Sequence, residues 1–219
     1  MPSAPSHPPS CSIYLVTPPL SAANAQTFAK TFEEALAAAP VASVRVRFEP
    51  GADGDVKPIV APLLKAAAAA DCAVILDGDP RRAARLGADG AHVEDVGEAL
   101  DMALDSLKPE RIVGVGGLRM RDDAMTAGEK GADYVMFGEP RGAAPPMALE
   151  LLLERVGWWA EIFETPCVAY AESIEAARRL AEAGADFVAV DAAVWGAPSP
   201  AGAVRALHDV LCGSAAQAP

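Results

Sequence analysis

The sequence predicts an α/β fold, a single (β/α)8 TIM barrel, on three observations. One phrase occurs three times: Gly87-Ala88-Asp89-Gly90-Ala91-His92-Val93, Gly131-Ala132-Asp133-Tyr134-Val135-Met136-Phe137-Gly138 and Gly184-Ala185-Asp186-Phe187-Val188-Ala189-Val190. Each copy follows a helical pattern ending at its Gly, where a helix favours a residue able to take positive φ. The copies begin 44 residues apart (Gly87 to Gly131) and 53 apart (Gly131 to Gly184). A βα unit of a barrel runs about 30 residues, so each interval holds two short units. Finally, short apolar runs alternate strictly with amphipathic stretches, and no dinucleotide glycine turn follows the first run. That sets aside a doubly wound open sheet.

In chain order, Ser12 to Val16 is an apolar run closed by Thr17-Pro18-Pro19 and reads as the first strand. Asn24 is placed to cap a helix with Phe28, Phe32, Ala35 and Leu36 on one stripe, ended by Pro40. Ser43 to Phe48 alternates and is the second strand. Ile59 to Ala70 is helical, Cys72 to Leu76 is the third strand, and Pro80 opens a short helix to Leu86. The Gly87 phrase supplies the fourth strand, and Glu98 to Leu107 an amphipathic helix. Ile112 to Gly117 is the fifth strand, with a glycine-rich exit into a helix over Asp122 to Lys130. The Gly131 phrase supplies the sixth strand, followed by the longest helix, Met147 to Phe163. Cys167 to Ala171, Glu172 to Ala183, the Gly184 phrase and Pro200 to Leu211 complete eight strands and eight helices.

The bulk properties bound the partners. A chain of 219 residues with 52% apolar side chains fills one such barrel, here residues 11–212. Residues 1–10 are rich in Pro and Ser without a basic start or apolar run, and read as a disordered leader; residues 213–219 read as a loose tail. A formal net charge of −12 excludes nucleic acid and anionic membranes as partners. The most apolar region, Ile59 to Leu76, is interrupted by Pro62, Lys65 and Asp71 and is no membrane span. Cys11, Cys72, Cys167 and Cys212 are scattered without a C-x-x-C pair, the usage of a reduced, cytoplasmic chain.

Barrel chemistry sits where strands run into the following loops. Arg45, Arg47 and Glu49 share one face of the second strand, and Val44, Val46 and Phe48 the other. The charged face therefore points into the barrel. It is either an anion clamp with Arg47 nearest the mouth, or an internal ion-pair plug in which Glu49, Asp77 and Asp79 consume both guanidinium groups; the plug is favoured. Asp77 and Asp79 leave the third strand and Glu94 and Asp95 the fourth, as carboxylates able to hold Mg²⁺ or as ordinary turn acids. His92 shares the inward parity of Gly90, as a packing residue or a cavity residue. Gly114-Val115-Gly116-Gly117 offers backbone N–H groups for a phosphate, and Tyr170, Glu172, Asp191 and Trp195 end the last two strands.

The scaffold phrases resemble the thiamine phosphate synthases. Tyr14-Leu15-Val16-Thr17, the Gly87 and Gly131 phrases, Ile112-Val113-Gly114-Val115 and Thr165-Pro166-Cys167-Val168-Ala169 carry the resemblance. It implies a single barrel joining a pyrimidine methyl diphosphate to a thiazole phosphate, with Mg²⁺ on the departing diphosphate. By this resemblance Arg47 is the family's middle arginine and Asp95 the remaining metal ligand, while the substrate-binding candidates read from the strand ends are Arg45, Arg47, Asp77, Asp79, His92 and Gly116, with Arg141 as a replacement charge contact. The family lysine is Glu49 here, a metal-binding Asp is Gly78, a serine is Gly116, and the phosphate turn after the seventh strand is Tyr170-Ala171-Glu172-Ser173. The alternative is a non-catalytic barrel that binds a phosphorylated metabolite. Whether the chain forms a homo-oligomer stays open.

Overall fold

The computed structural model describes residues 11–52, 54–140 and 147–215. Eight parallel strands close in chain order: β1 (Ser12–Val16), β2 (Ser43–Val46), β3 (Ala73–Asp77), β4 (Gly90–Val93), β5 (Ile112–Val115), β6 (Tyr134–Phe137), β7 (Cys167–Tyr170) and β8 (Phe187–Val190). β1 pairs with both β2 and β8, so the sheet has no edge. The ring of helices is α1 (Ala25–Leu36), α2 (Lys57–Ala69), α3 (Pro80–Leu86), α4 (Glu98–Leu107), α5 (Arg121–Lys130), α6 (Leu149–Ile162), α7 (Ile174–Glu182) and α9 (Pro200–Ala215). A short extra helix, α8 (Ala192–Trp195), sits between β8 and α9.

The repeated phrase has a structural purpose that the sequence did not disclose. Gly87, Gly131 and Gly184 end their helices at φ 76°, 92° and 104°, conformations open to glycine at little cost. The Asp two residues on then turns its carboxylate to the preceding strand. Asp89 accepts from Val74 N at 2.7 Å, Asp133 from Val113 N at 2.7 Å, and Asp186 from Cys167 N at 2.8 Å. The same three residues donate their own N–H back to the carbonyls of Val74, Val113 and Cys167. Each copy thus stitches an even-numbered strand to the odd one before it, which is why the repeat spans two units.

Side chains alternate across the sheet. Leu15, Val44, Val46, Val74, Leu76, Val113, Val135 and Val188 face the helices in the main core. Tyr14, Val16, Tyr134, Met136, Val168, Tyr170 and Ala189 fill the barrel interior. Among the described residues, no helix is long and apolar enough to cross a membrane.

Three local expectations change. Asn24 does not cap α1; its Oδ1 accepts from Ser21 N and its Nδ2 donates to the Pro19 carbonyl, so it shapes the preceding turn instead. β2 stops at Val46, because beyond it the chain pairs with the loop after β1: Leu20 N donates to the Arg47 carbonyl and Glu49 N to the Leu20 carbonyl. The last helix runs to Ala215, three residues into the stretch read as a tail. The leader, residues 1–10, lies outside the described residues, as do 216–219.

Candidate active site

Period-two alternation sends Arg45 into the barrel, 1% exposed. Its Nε donates to Asp77 Oδ1 at 2.8 Å and its Nη2 to Glu94 Oε1 at 2.7 Å. Nη1 points at Met136 Sδ, 3.8 Å away. Burial opposes the charge on Arg45, yet Asp77 and Glu94 hold it protonated. Burial likewise pushes the Asp77 carboxyl up, and Arg45 pulls against it. The expected plug therefore exists around Arg45, but Glu94 is its second acid. Glu49 is exposed at the mouth, and Asp79 caps α3 by accepting from Arg81 N at 2.9 Å.

Arg47 is not part of the plug. Where β2 ends, its side chain turns toward the other side of the mouth. There Nη1 lies 3.8 Å from Asp191 Oδ2, an ion pair longer than a hydrogen bond. Its backbone N–H donates to Thr17 Oγ1 at 3.0 Å, fixing the turn. The two arginines thus serve opposite halves of the barrel.

A buried polar chain crosses the barrel interior. Tyr14 and Tyr134 share a hydroxyl–hydroxyl bond of 2.8 Å, and Tyr134 Oη is 2.9 Å from His92 Nδ1. His92 is fully buried, and its Nε2 has no hydrogen-bond partner among the described residues. If Tyr14 donates to Tyr134 and Tyr134 to Nδ1, all three hydroxyl and Nδ1 demands are met and only Nε2–H is left open. The reverse order strands the Tyr14 hydroxyl hydrogen as well, so the first is favoured. Burial and the nearby Arg45 hold the His92 pKa well below 6.5, so the ring is neutral. Nε2 lies against Gly116, where an added Cβ would stand 2.7 Å away.

Two cavities open at the mouth. One, of about 620 Å³, lies over the ends of β2, β3 and β4, lined by Glu49, Asp77, Asp79, Arg82, His92 and Glu94. The other, of about 650 Å³, lies between the β1 loop, α1 and α8, lined by Pro18, Leu20, Phe28, Arg47, Asp191 and Trp195. Arg82, which the sequence reading passed over, stands with its guanidinium carbon 5.5 Å from the Phe48 ring centroid, a cation at the wall of the first cavity. Its signal was its place in the first turn after a strand end. The sequence shows Tyr14 and Tyr134 only as strand residues, because one sequence does not show that two strands bring their hydroxyls together.

The glycine-rich exit of β5 is less free than expected. Gly116 N donates to the Val93 carbonyl at 2.8 Å, and Gly117 packs so closely on Glu94 that a Cβ would meet its carbonyl oxygen at 2.2 Å. Its N–H groups are partly spent on β4. Asp95 is exposed and accepts from Gly97 N at 2.7 Å within its own turn. Gly78 supplies no side chain, and no group of three or more His, Cys, Asp or Glu side chains among the described residues could hold a metal. Arg141 lies outside the described residues. Burial pushes the thiols of Cys11, Cys72 and Cys167 up to about 12, leaving them protonated.

Comparison with known proteins places these features in context. Residues 13–194 match the family model described as thiamine monophosphate synthase. A thiamine-phosphate synthase of Rhodospirillum centenum is 40% identical over 213 residues, covering 93% of this chain and 99% of the relative. That of Hyphomonas neptunium is 35% identical over 212 residues, covering 91% and 93%. Among solved structures, a thiamine phosphate pyrophosphorylase from Pyrococcus furiosus superposes with a TM-score of 0.78 at 22% identity, covering 94% of this chain and 98% of that one. A 3-hexulose-6-phosphate synthase from Salmonella typhimurium reaches 0.70 at 18%, covering 92% and 99%. Identities this low speak for the fold alone.

Proposed function

Because the chain belongs to the thiamine monophosphate synthase family, we propose that it catalyses the coupling of a pyrimidine methyl diphosphate to a thiazole, which is phosphorylated in the family reaction, with release of diphosphate. The observation that carries this reading is the colinear match to a relative of nearly equal length, 40% identical over 93% of this chain. No finding favours the alternative of a non-catalytic barrel.

In this reading the two cavities divide the substrates. The first, with Arg82 on its wall and the neutral His92 at its floor, takes the pyrimidine. His92, held in its neutral tautomer by Tyr134 and Tyr14, stays buried beneath that cavity and keeps its floor uncharged. The second cavity takes the thiazole against Phe28 and Trp195, with Arg47 at its polar end. The bond between the methylene carbon and the thiazole nitrogen forms as the carbon–oxygen bond to diphosphate breaks, and the electron pair leaves on the diphosphate. Holding the two rings in line at the barrel mouth is the protein's contribution.

Mg²⁺ is associated with the family, but among the described residues no set of side chains forms a cradle for it. The position of one family ligand is Gly78, Asp77 is committed to Arg45, and Asp95 is turned into its own loop. No step is routed through the ion. The four free, scattered thiols support a reducing, cytoplasmic setting.

The test is direct. The purified chain is mixed with the pyrimidine diphosphate and the thiazole, as alcohol and as phosphate, with and without Mg²⁺, and coupled product is followed by mass spectrometry. Coupled product above the enzyme-free blank supports the reading, and its absence under all conditions removes it.

A further inference from the structure

The place where a barrel most often grips phosphate is filled here by the protein's own carboxylate. That place is the loops after β7 and β8. In this chain Asp191 follows β8 directly, and the groups that could face an anion there are aimed at it. The Tyr170 hydroxyl donates to Asp191 Oδ1 at 2.5 Å, the Ala192 N–H donates to the same oxygen, and Arg47 stands on the far side toward Oδ2. The turn after β7 is poorly suited to a second anion. Its residues are Tyr170-Ala171-Glu172-Ser173, with no glycine to let a ligand approach the backbone. The Ala171 N–H is spent on the Ala189 carbonyl, and the Ser173 hydroxyl caps α7 by accepting from Ala176 N. A phosphate dianion brought here would meet a fixed carboxylate at contact range, and that repulsion is strongest where the site is part-buried.

The remaining geometry suits a neutral hydroxyl. Asp191 Oδ2 and Arg47 Nη1 face each other across 3.8 Å, too far for a direct hydrogen bond. A hydroxyl oxygen next to both donates to the carboxylate and accepts from the guanidinium, whereas a phosphate dianion has only acceptors to offer. The adjoining cavity of about 650 Å³, walled by Pro18, Leu20, Phe28 and Trp195, accommodates a small heterocycle beside that pair.

Resting on the coupling reaction above for its transfer step, we propose that this chain takes its thiazole as the free alcohol, with Asp191 standing where the phosphate of a phosphorylated acceptor would lie. The hydroxyl takes no part in bond making: the new bond is still carbon to ring nitrogen, the broken one carbon to diphosphate oxygen. The product then lacks a phosphate, and a separate phosphoryl-transfer reaction must follow if a phosphorylated product is to be made.

The experiment measures binding of the thiazole alcohol and of its phosphate ester by calorimetry, each alone, and then product formation from each with the pyrimidine diphosphate. The alcohol is expected to bind at least tenfold more tightly than the ester. Asp191→Asn keeps the size of the side chain and its capping of α8 while removing the charge, and should shift the preference at least tenfold toward the ester; Asp191→Ser, also a good cap, serves as the second variant. Equal or tighter binding of the ester by the unmodified protein overturns the inference, as does failure of both to bind. Alcohol-selective binding without any coupled product upholds the acceptor preference while removing the coupling reaction, so the two failures are distinct.

Discussion

Gly114 and Tyr134, register partners on the adjacent strands β5 and β6, are complementary inside the barrel: the side chain missing from one is the space filled by the ring of the other. A Cβ on Gly114 would stand 1.9 Å from Tyr134 Cζ and 2.3 Å from its hydroxyl oxygen. The ring so placed bonds Tyr14 on one side and His92 on the other. Gly114→Ala therefore must displace Tyr134. We expect a loss of about 1–3 kcal/mol, the usual cost of overpacking a core, measured by urea unfolding. An unchanged midpoint would show that the ring has room to move.

Arg45→Met tests the plug. Removing the guanidinium strands Asp77 against an apolar interior, and loss of one partner of a buried pair typically costs ~3–5 kcal/mol. Glu94 is 58% exposed and Asp77 26%, so part of their charge returns to water. The expected loss is therefore at the low end, about 3 kcal/mol. Adding Asp77→Asn should recover part of it. A loss below about 1 kcal/mol would place the pair among solvated surface bridges.

Arg47→Met should behave differently, although the two arginines are only two residues apart. Its ion pair is long and the side chain is 20% exposed, so stability should fall by less than about 1 kcal/mol. Binding of the thiazole alcohol should weaken severalfold or more by calorimetry, because a polar end of the cavity is lost. Full retention of binding would remove Arg47 from the acceptor site.

The buried His92 sets a pH signature. Unfolded, it takes up a proton near pH 6.5; folded, burial keeps its pKa well below that. Below pH 6.5 the unfolded state thus binds more protons, and stability falls as pH falls, by up to about 1.4 kcal/mol per unit. Burial-raised Asp77 acts in the opposite sense over the range above 3.8, so the comparison must isolate His92. The stability difference between the unmodified protein and His92→Gln should shrink from pH 7 to pH 5. A pH-independent difference would contradict a neutral, buried ring.

The barrel was legible because its signals are local. Positive-φ glycines after helices, apolar runs of strand length and a repeated phrase each depend on residues a few positions apart. The inward direction of Arg45 and His92 followed from alternation alone. What alternation could not supply was where a strand ends. β2 releases the chain at Val46 because Leu20 reaches in to pair with Arg47 and Glu49, and that contact sends Arg47 to Asp191 instead of to the plug.

Partners were likewise beyond local reading. Glu94 and not Glu49 completes the plug, because neighbouring strands are staggered around the barrel and the register decides which carboxylate meets the guanidinium. Asp191 was visible as the residue ending β8, but its bond to Tyr170 at the end of β7 and its approach to Arg47 beyond β2 join residues that the sequence does not relate. The sequence by itself determined that eight short units would close on one another and which side chains would face inward, since both follow from backbone periodicity. Only the tertiary structure decided which of those charges neutralise each other and which stay open to a ligand, since that depends on distances between residues that the chain alone leaves unrelated.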